Sequence, residues 1–184
     1  MVARQNHGFI YESMVIDLYE LNKASGYTNE YDAYTHDGIP VQIKCIKKGR
    51  SIDLGDIFRN SNKKSDFYLI IGFYTDIING KPVIDEEYVL FFTKNQWNGL
   101  FIYDDYDSMR SLLNTISNDH SDDKLWKTET KKMINRWKKV NKYIVPAFKR
   151  DHKKQKRIQC RIQNKVFYEY FVKVYECQRI ESQN

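Results

Sequence analysis

The order of apolar and polar positions along the chain predicts a sheet covered by helices. Residues 67–74, FYLIIGFY, are continuously apolar, which is typical of a central strand that is buried on both faces. In residues 8–23, four apolar side chains recur at helical spacing and predict a helix with this stripe toward the core. The four are Ile10, Met14, Leu18 and Leu21.

Shorter patterns complete the predicted order of elements. Residues 51–60 predict a short helix with Ser51 as its N-cap, and residues 166–177 are aromatic and fit either a strand or a helix. From residue 122 to residue 143 the pattern predicts a longer helix, and Pro146 then ends this region. Further strands are predicted at residues 29–35, 39–47, 87–93 and 157–163. This order indicates the α/β class, with a mixed sheet flanked by helices, in a single domain of residues 1–184.

Charge is distributed unevenly along the chain, whose net charge is +6. Residues 1–123 hold 12 Lys and Arg against 19 Asp and Glu, whereas residues 124–165 hold 16 against 2. A basic block beside an acidic body indicates a polyanionic partner, and nucleic acid is the commonest one. An anionic membrane surface fits less well, because the block has no clean apolar face. Residues 1–121 therefore form the predicted core, and residues 122–184 form a predicted basic region that binds DNA.

The cysteines and the apolar runs bear on the cellular setting. Cys45, Cys160 and Cys177 are too widely spaced for a CxxC pair or a disulfide framework, which predicts a reducing, cytoplasmic environment. No apolar run is long enough to cross a membrane, and the first residues lack the apolar segment of a secretory signal. We therefore expect no membrane partner.

The hairpin at residues 29–48, NEYDAYTHDGIPVQIKCIKK, carries polar side chains within an otherwise apolar strand. Because strand side chains alternate in direction, Val41 and Ile43 should face the core, and Gln42 and Lys44 should share the other face. The alternative to a functional site is an ordinary hairpin whose polar residues face water.

The position of Asp32 depends on the turn of this hairpin. A two-residue turn would pair Asp32 with Ile43 and direct its carboxylate into the core. A three-residue turn from His36 to Gly38, with Gly38 left-handed, would place Asp32 opposite Gln42. We favour the three-residue turn, because a carboxylate that is buried without a partner is strongly destabilising.

Asp32, followed on the next strand by Gln42-Ile43-Lys44, resembles the carboxylate and (Glu/Asp/Gln)-x-Lys motif of the PD-(D/E)XK nuclease superfamily, particularly of type II restriction endonucleases. The resemblance covers residues 8–93 and implies a restriction-endonuclease-like core. Two positions differ from the usual motif. Tyr31 stands where the motif has a proline, and Gln42 replaces the usual acid, as it does in some restriction enzymes of this superfamily. Nothing beyond residue 100 is inferred from the resemblance.

The resemblance implies that this hairpin hydrolyses phosphodiesters with the help of Mg²⁺. Asp32, the amide oxygen of Gln42 and the backbone carbonyl of Ile43 would bind the ion, in keeping with the preference of Mg²⁺ for oxygen ligands. Lys44 would orient the attacking water and offset the charge that develops on the phosphorane.

A further catalytic residue is implied on the first helix. Members of the superfamily often bring an acid from this helix, and Glu12 is the candidate in this chain. Because Gln42 is neutral, Glu12 would restore negative charge to the metal site. Glu20 and Glu30 are the alternatives.

Basic and amide side chains supply the predicted DNA contacts. Lys47, Lys48 and Arg50 follow the motif and are candidates to hold phosphate groups. In residues 157–163, Arg and Gln alternate onto one strand face, and these side chains are suited to read the edges of guanine and adenine. The candidates in the basic region are Lys153, Lys154, Lys156, Arg157, Gln159, Arg161 and Gln163.

The predicted function is therefore that of a metal-dependent DNA endonuclease. The type II restriction class is expected, with cleavage of double-stranded DNA at a short specific sequence. A palindromic site would favour a homodimer, because the symmetry of the protein then matches that of the DNA. Two alternatives remain: a structure-selective nuclease of repair or DNA junctions, and a non-catalytic nucleic-acid-binding protein built around the basic block.

Overall fold

The computed structural model describes residues 3–25, 30–101, 107–111, 114, 123–150 and 156–177. The helices are α1 (Ala3–Leu18), α2 (Ile57–Asn60), α3 (Lys94–Asn98), α4 (Asp123–Val140) and the helical segment α5 (residues 164–175). The strands are β1 (Asn22–Lys23), β2 (Ala33–Tyr34), β3 (Pro40–Lys47), β4 (Ile52–Asp56), β5 (Phe67–Ile78), β6 (Lys81–Phe92), β7 (Ile144–Arg150) and β8 (Lys156–Ile162). Residues 107–111 are also helical.

The chain divides into two compact units. The first unit comprises Met1–Ile52, Lys63–Gln96 and Asn164–Asn184, and the second comprises Asp53–Asn62 and Trp97–Gln163. The predicted single domain, with a core of residues 1–121 and a basic region of residues 122–184, stays a prediction.

The first unit contains a mixed sheet with the strand order β1-β2-β3-β5-β6. Strands β3 and β5 are parallel, and the other neighbours are antiparallel. The mixed α/β class that the sequence predicts is thereby confirmed. The apolar run Phe67 to Phe73 lies in β5 between two other strands and is buried throughout, as expected of a central strand.

The helix predicted at residues 8–23 is confirmed as far as Leu18, where α1 ends, whereas Asn22–Lys23 form β1. Helix α1 also buries a different face from the predicted one. Tyr11 and Val15 are in the core, whereas Met14 and Leu18 are 48% and 69% exposed. The ring of Tyr11 lies directly over Gly72 of β5, where an added Cβ would be 2.4 Å from the ring. Because Gly72 has no side chain, the Tyr11 ring fits against β5, and α1 packs on the sheet with the face that carries Tyr11 and Val15.

The opposite face of the sheet is covered by α5. The aromatic segment at residues 166–177, which fitted either a strand or a helix, is therefore helical for most of its length. It begins and ends as α-helix and contains a π-helical turn at Phe167–Phe171. Phe167 packs edge-on against Phe73, with ring centroids 5.4 Å apart, and Phe171 packs against Phe92 at 6.1 Å. Each large apolar side chain that is fully buried in this way contributes about 1.5–3 kcal/mol to the stability.

The short helix predicted at residues 51–60 is wrong in its first half. Strand β4 occupies this part and buries Ile52 and Leu54 by strand alternation. Helix α2 begins only after Asp56, whose Oδ1 accepts a hydrogen bond from the backbone N–H of Arg59 at 3.0 Å. Asp56 is therefore the N-cap in place of Ser51.

The second unit contains a sheet with the strand order β4-β8-β7. Strand β8 confirms the strand predicted at residues 157–163, and α4 confirms the longer helix. Pro146 lies within β7 instead of ending a helix. A proline is tolerated there because β7 is an edge strand, which pairs with a neighbouring strand on one side only.

A search of the described residues for a helix long and apolar enough to span a bilayer finds none.

Candidate active site

The hairpin between β2 and β3 has the three-residue turn that the sequence analysis favoured. The backbone N–H of Gly38 donates to the carbonyl of Thr35 at 3.0 Å, and Gly38 is left-handed with φ of 79°. Ala33 pairs with Val41, so the same register brings Asp32 to the position beside Gln42. The two-residue alternative, in which Asp32 would pair with Ile43, is excluded.

The carboxylate of Asp32 continues the ladder where β2 ends. Its Oδ2 accepts a hydrogen bond from the backbone N–H of Ile43 at 2.7 Å, and the N–H of Asp32 donates to the carbonyl of Val41 at 3.0 Å. A hydrogen bond to a charged group contributes about 1.5–3 kcal/mol. These two bonds hold the carboxylate at the edge of β3, next to the motif residues.

The ammonium of Lys44 lies at the same edge. Its Nζ donates to the carbonyl of Ile43 at 3.0 Å and is 3.6 Å from Oδ2 of Asp32. The side chains of Lys44 and Asp32 are 23% and 29% exposed, so solvent can reach the pair. Asp32, Ile43 and Lys44 therefore converge, as the motif requires.

Gln42 carries a buried side-chain oxygen on the same strand. It is 7% exposed, and its Oε1 has no hydrogen-bond partner within the part of the chain that the structure describes. A buried oxygen without a partner is destabilising by about 1–3 kcal/mol, and native proteins contain few of them. A hard cation would satisfy this oxygen, and an amide, a carboxylate and a carbonyl oxygen are ligands that Mg²⁺ accepts. The residues present therefore fit the implied ion.

Glu12 is the acidic residue of α1 whose carboxyl group interacts electrostatically with Asp32 and Lys44. Burial raises the pKa of its carboxyl group, repulsion from Asp32 raises it further, and the charges of Lys23 and Lys44 act in the opposite direction. Its Oε1 lies 3.8 Å from Nζ of Lys23. Of the two alternatives, Glu30 pairs with Lys63 and Glu20 is exposed just after the helix.

Acidic residues alone do not form a metal site. Where the structure is described, no three His, Cys, Asp or Glu side chains group closely enough to hold an ion. The amide of Gln42 and the carbonyl of Ile43 are thus needed beside the carboxylate of Asp32.

Sequence reasoning missed Glu87, which fixes the helix that carries Glu12. Its two carboxylate oxygens accept hydrogen bonds from the hydroxyl groups of Tyr11 at 2.6 Å and Tyr19 at 2.8 Å. Burial and these bonds raise the pKa values of both tyrosines. No local sequence pattern predicts these hydrogen bonds, since Glu87 is far from both tyrosines in sequence.

The predicted phosphate contacts after β3 differ in their surroundings. Lys47 and Arg50 are exposed. Lys48 contacts the carboxylates of Asp85 and Glu86, with 2.6 Å between its Nζ and Oε1 of Glu86. Its charge is compensated within the protein, so Lys47 and Arg50 are the better placed of the three to meet phosphate.

The candidates in the second unit do not form one exposed face. Gln159 is buried in the central strand β8, and Arg161 pairs through Nε with Oδ1 of Asp53 at 3.1 Å. Gln163 is exposed just beyond the end of β8. The backbone of Lys156 and Arg157 belongs to β8, and Lys153 and Lys154 lie outside the described residues. Base reading by Gln159 stays a prediction, although this residue is only 5% exposed in this conformation.

The raised pKa of Glu12 leads to a pH-dependent prediction for Glu12→Gln. Folding favours the protonated acid, so Glu12 contributes stability below its unfolded pKa and loses it as pH rises through the folded pKa. Relative to Glu12→Gln, the wild-type protein should therefore lose thermal stability as the pH is raised from 3 to 8, a range about the ordinary pKa of glutamate. Calorimetry of both proteins across this range measures the difference.

Glu20→Gln is the matched control, because Glu20 is an exposed acid just after the same helix. Melting temperatures of Glu12→Gln and Glu20→Gln that run parallel at all pH values would contradict the prediction.

Comparisons with protein-family models, with curated proteins and with solved structures found no match for this chain.

Proposed function

We propose that this protein is a metal-dependent DNA endonuclease of the type II restriction class, with a Gln variant of the PD-(D/E)XK motif. The observation that carries the proposal is the buried, unpartnered Oε1 of Gln42 on the strand whose edge also holds Asp32 and Lys44. A buried oxygen without a hydrogen-bond partner is an unfavourable arrangement unless a ligand completes it. A metal-assisted hydrolytic site gives each of these groups a role.

A restriction-endonuclease-like core is part of the proposal. The order of α1, the β2–β3 hairpin and the buried strand β5 supports it, since this is the order that the resemblance implies. The parallel pairing with β5 occupies one edge of β3 and leaves its other edge to Asp32. Strand β4 stands where the resemblance suggested only a short helix.

The proposed reaction is hydrolysis of a phosphodiester in duplex DNA. Mg²⁺ would supply an activated water and would stabilise charge on the phosphoryl oxygens. Asp32, Gln42 and the carbonyl of Ile43 would hold the ion. The ammonium of Lys44 would orient the attacking water and offset the developing negative charge. Glu12, whose pKa is raised by burial and by Asp32, would provide a second acid at the rim of the site.

Duplex DNA would lie across the exposed end of β3. Lys47 is exposed and lies three residues beyond Lys44, or about 10 Å along the strand, and it would supply a salt-dependent phosphate contact there. Cleavage of both strands at a palindromic sequence would require a homodimer with one site for each strand.

The decisive experiment incubates plasmid and phage DNA with the purified protein and Mg²⁺, in parallel with EDTA. Discrete fragments that are lost with EDTA are expected, and sequencing their ends would identify the site. Cleavage that is confined to branched or damaged substrates would instead indicate the structure-selective repair nuclease. No cleavage of any of these substrates would reject the proposal.

A second candidate is a non-catalytic nucleic-acid-binding protein. Two observations favour it: Gln42 is neutral, and the carbonyl of Ile43 already accepts a hydrogen bond from the ammonium of Lys44. DNA affinity that falls with salt, does not depend on Mg²⁺ and is unchanged in Asp32→Ala would support this alternative. Metal-dependent affinity would count against it.

A further inference from the structure

Lys63 is a buried lysine to which the proposed reaction assigns no role. It lies between α2 and β5 in the chain, and its side chain is only 1% exposed. Lysine is almost never fully buried unless it is paired, because removing an ammonium group from water is unfavourable. The contacts that hold this ammonium are therefore specific.

The ammonium of Lys63 contacts two consecutive residues of the segment before Asp32. Its Nζ is 3.2 Å from Oε1 of Glu30 and 4.4 Å from the centre of the Tyr31 ring. The ring of Phe67 lies on another side at 5.3 Å, and the rings of Tyr31 and Phe67 are 5.8 Å apart. An ion pair and one cation–π contact thus join Lys63 to the start of the motif, and a second cation–π contact joins it to Phe67 of β5.

These contacts complete the restraint of Asp32. Within the hairpin, the backbone N–H of Asp32 donates to the carbonyl of Val41, and its Oδ2 accepts from the N–H of Ile43. On the N-terminal side, Tyr31 stands where the motif has a proline, so no ring restricts the backbone there. The ammonium of Lys63 contacts Glu30 and Tyr31, the two residues that directly precede Asp32.

We infer that Lys63 is a positioning residue, which holds Glu30 and Tyr31 so that the Asp32 carboxylate stays at the edge of β3. It is not a catalytic residue, because its burial keeps it from DNA and from a metal ion. The effect on cleavage rests on the proposed function, whereas the effect on the hydrogen bond between Asp32 and Ile43 does not.

The test uses Lys63→Met, which keeps the length of the side chain and removes its charge. Amide hydrogen exchange at Ile43 should become about tenfold faster, because its acceptor on Asp32 is less well held. The kcat for DNA cleavage should fall about tenfold with little change in KM, since a small misplacement of a reacting group is costly. Titration with Mn²⁺ alone should show weaker binding.

Three variants make the test specific. Tyr31→Leu removes the ring under the ammonium and should repeat the effects if Lys63→Met does not fold. Lys64→Met removes an exposed neighbouring charge and should change none of them. Asp32→Ala removes the acceptor itself and sets the upper limit of exchange at Ile43. The buried amides of Ile70 and Leu90 in β5 and β6 report global opening.

Each outcome bears on the inference. Exchange at Ile43 that accelerates more than at Ile70 and Leu90, in Lys63→Met and in Tyr31→Leu, would support it. Unchanged exchange at Ile43, or acceleration equal to that of the reference amides, would overturn it, because Lys63 would then only stabilise the fold. A third result is that exchange at Ile43 is selectively accelerated in the two variants while the wild-type protein neither cleaves DNA nor binds Mn²⁺. That result would sustain the positioning role of Lys63 and reject the proposed function.

Discussion

Replacement of Asp32 by asparagine is expected to lower the rate of DNA cleavage by at least about 100-fold, because a metal ion supplies several kcal/mol of transition-state stabilisation. Asparagine keeps an oxygen that can accept from the N–H of Ile43, where the carboxylate now bonds at 2.7 Å. The fold should therefore persist while the charge that holds the cation is lost. Single-turnover cleavage at saturating DNA measures the rate, and Mn²⁺ titration measures the metal affinity.

Asp66→Asn is the matched control for this change. Oδ1 of Asp66 also accepts a backbone hydrogen bond, from Lys94 at 2.8 Å, and it lies in the same unit away from the motif. This variant should cleave DNA at the wild-type rate. If Asp32→Asn cleaves within a few-fold of Asp66→Asn, the proposed metal centre is wrong.

Lys44→Met is expected to lower kcat by about 100- to 1,000-fold, as loss of one group that stabilises transition-state charge commonly does. Its effect on metal affinity should have the opposite sign. The ammonium contacts the carbonyl of Ile43 and lies 3.6 Å from Oδ2 of Asp32. Its removal therefore exposes these two oxygens to the metal ion and takes away one positive charge that repels it. Mn²⁺ should then bind as tightly as in the wild type or more tightly. Rapid-quench kinetics and Mn²⁺ titration measure the two effects separately.

The stability of Lys44→Met distinguishes a catalytic defect from unfolding. Because Lys44 and Asp32 are partly exposed, their ion pair contributes no more than about 1 kcal/mol, and the free energy of unfolding should change little. Lys47→Met is the control on the same strand, and it should weaken DNA binding without lowering kcat. Wild-type kcat in Lys44→Met would remove Lys44 from the mechanism.

Local sequence patterns predicted the elements that carry the candidate site. The continuous apolar run identified β5, because a strand that is buried on both faces needs apolar side chains throughout. The alternation of residue types around Gln42 identified β3. The turn was also readable, since Gly38 can adopt the left-handed conformation that a three-residue loop needs. From that turn follows the register that brings Asp32 to Gln42.

The same patterns misled where distant residues compete for one surface. In α1, Met14 and Leu18 fit an apolar stripe as well as Tyr11 and Val15 do, and only the space above Gly72 decides which side packs on the sheet. Likewise, residues 52–56 form a strand because a second sheet pairs with them. A helical or extended preference of a few residues is weak compared with such pairing.

By itself, the sequence determined the α/β class, the buried central strand and the hairpin that joins a carboxylate to Gln42, Ile43 and Lys44, because these depend on contacts near in the chain. The tertiary structure alone decided three further points. It left the oxygen of Gln42 buried without a partner, compensated Lys48 with Asp85 and Glu86, and enclosed Lys63 beside Glu30 and Tyr31. The physical reason is that burial and ion pairing depend on tertiary contacts between segments that are distant in sequence, and local sequence patterns do not determine those contacts.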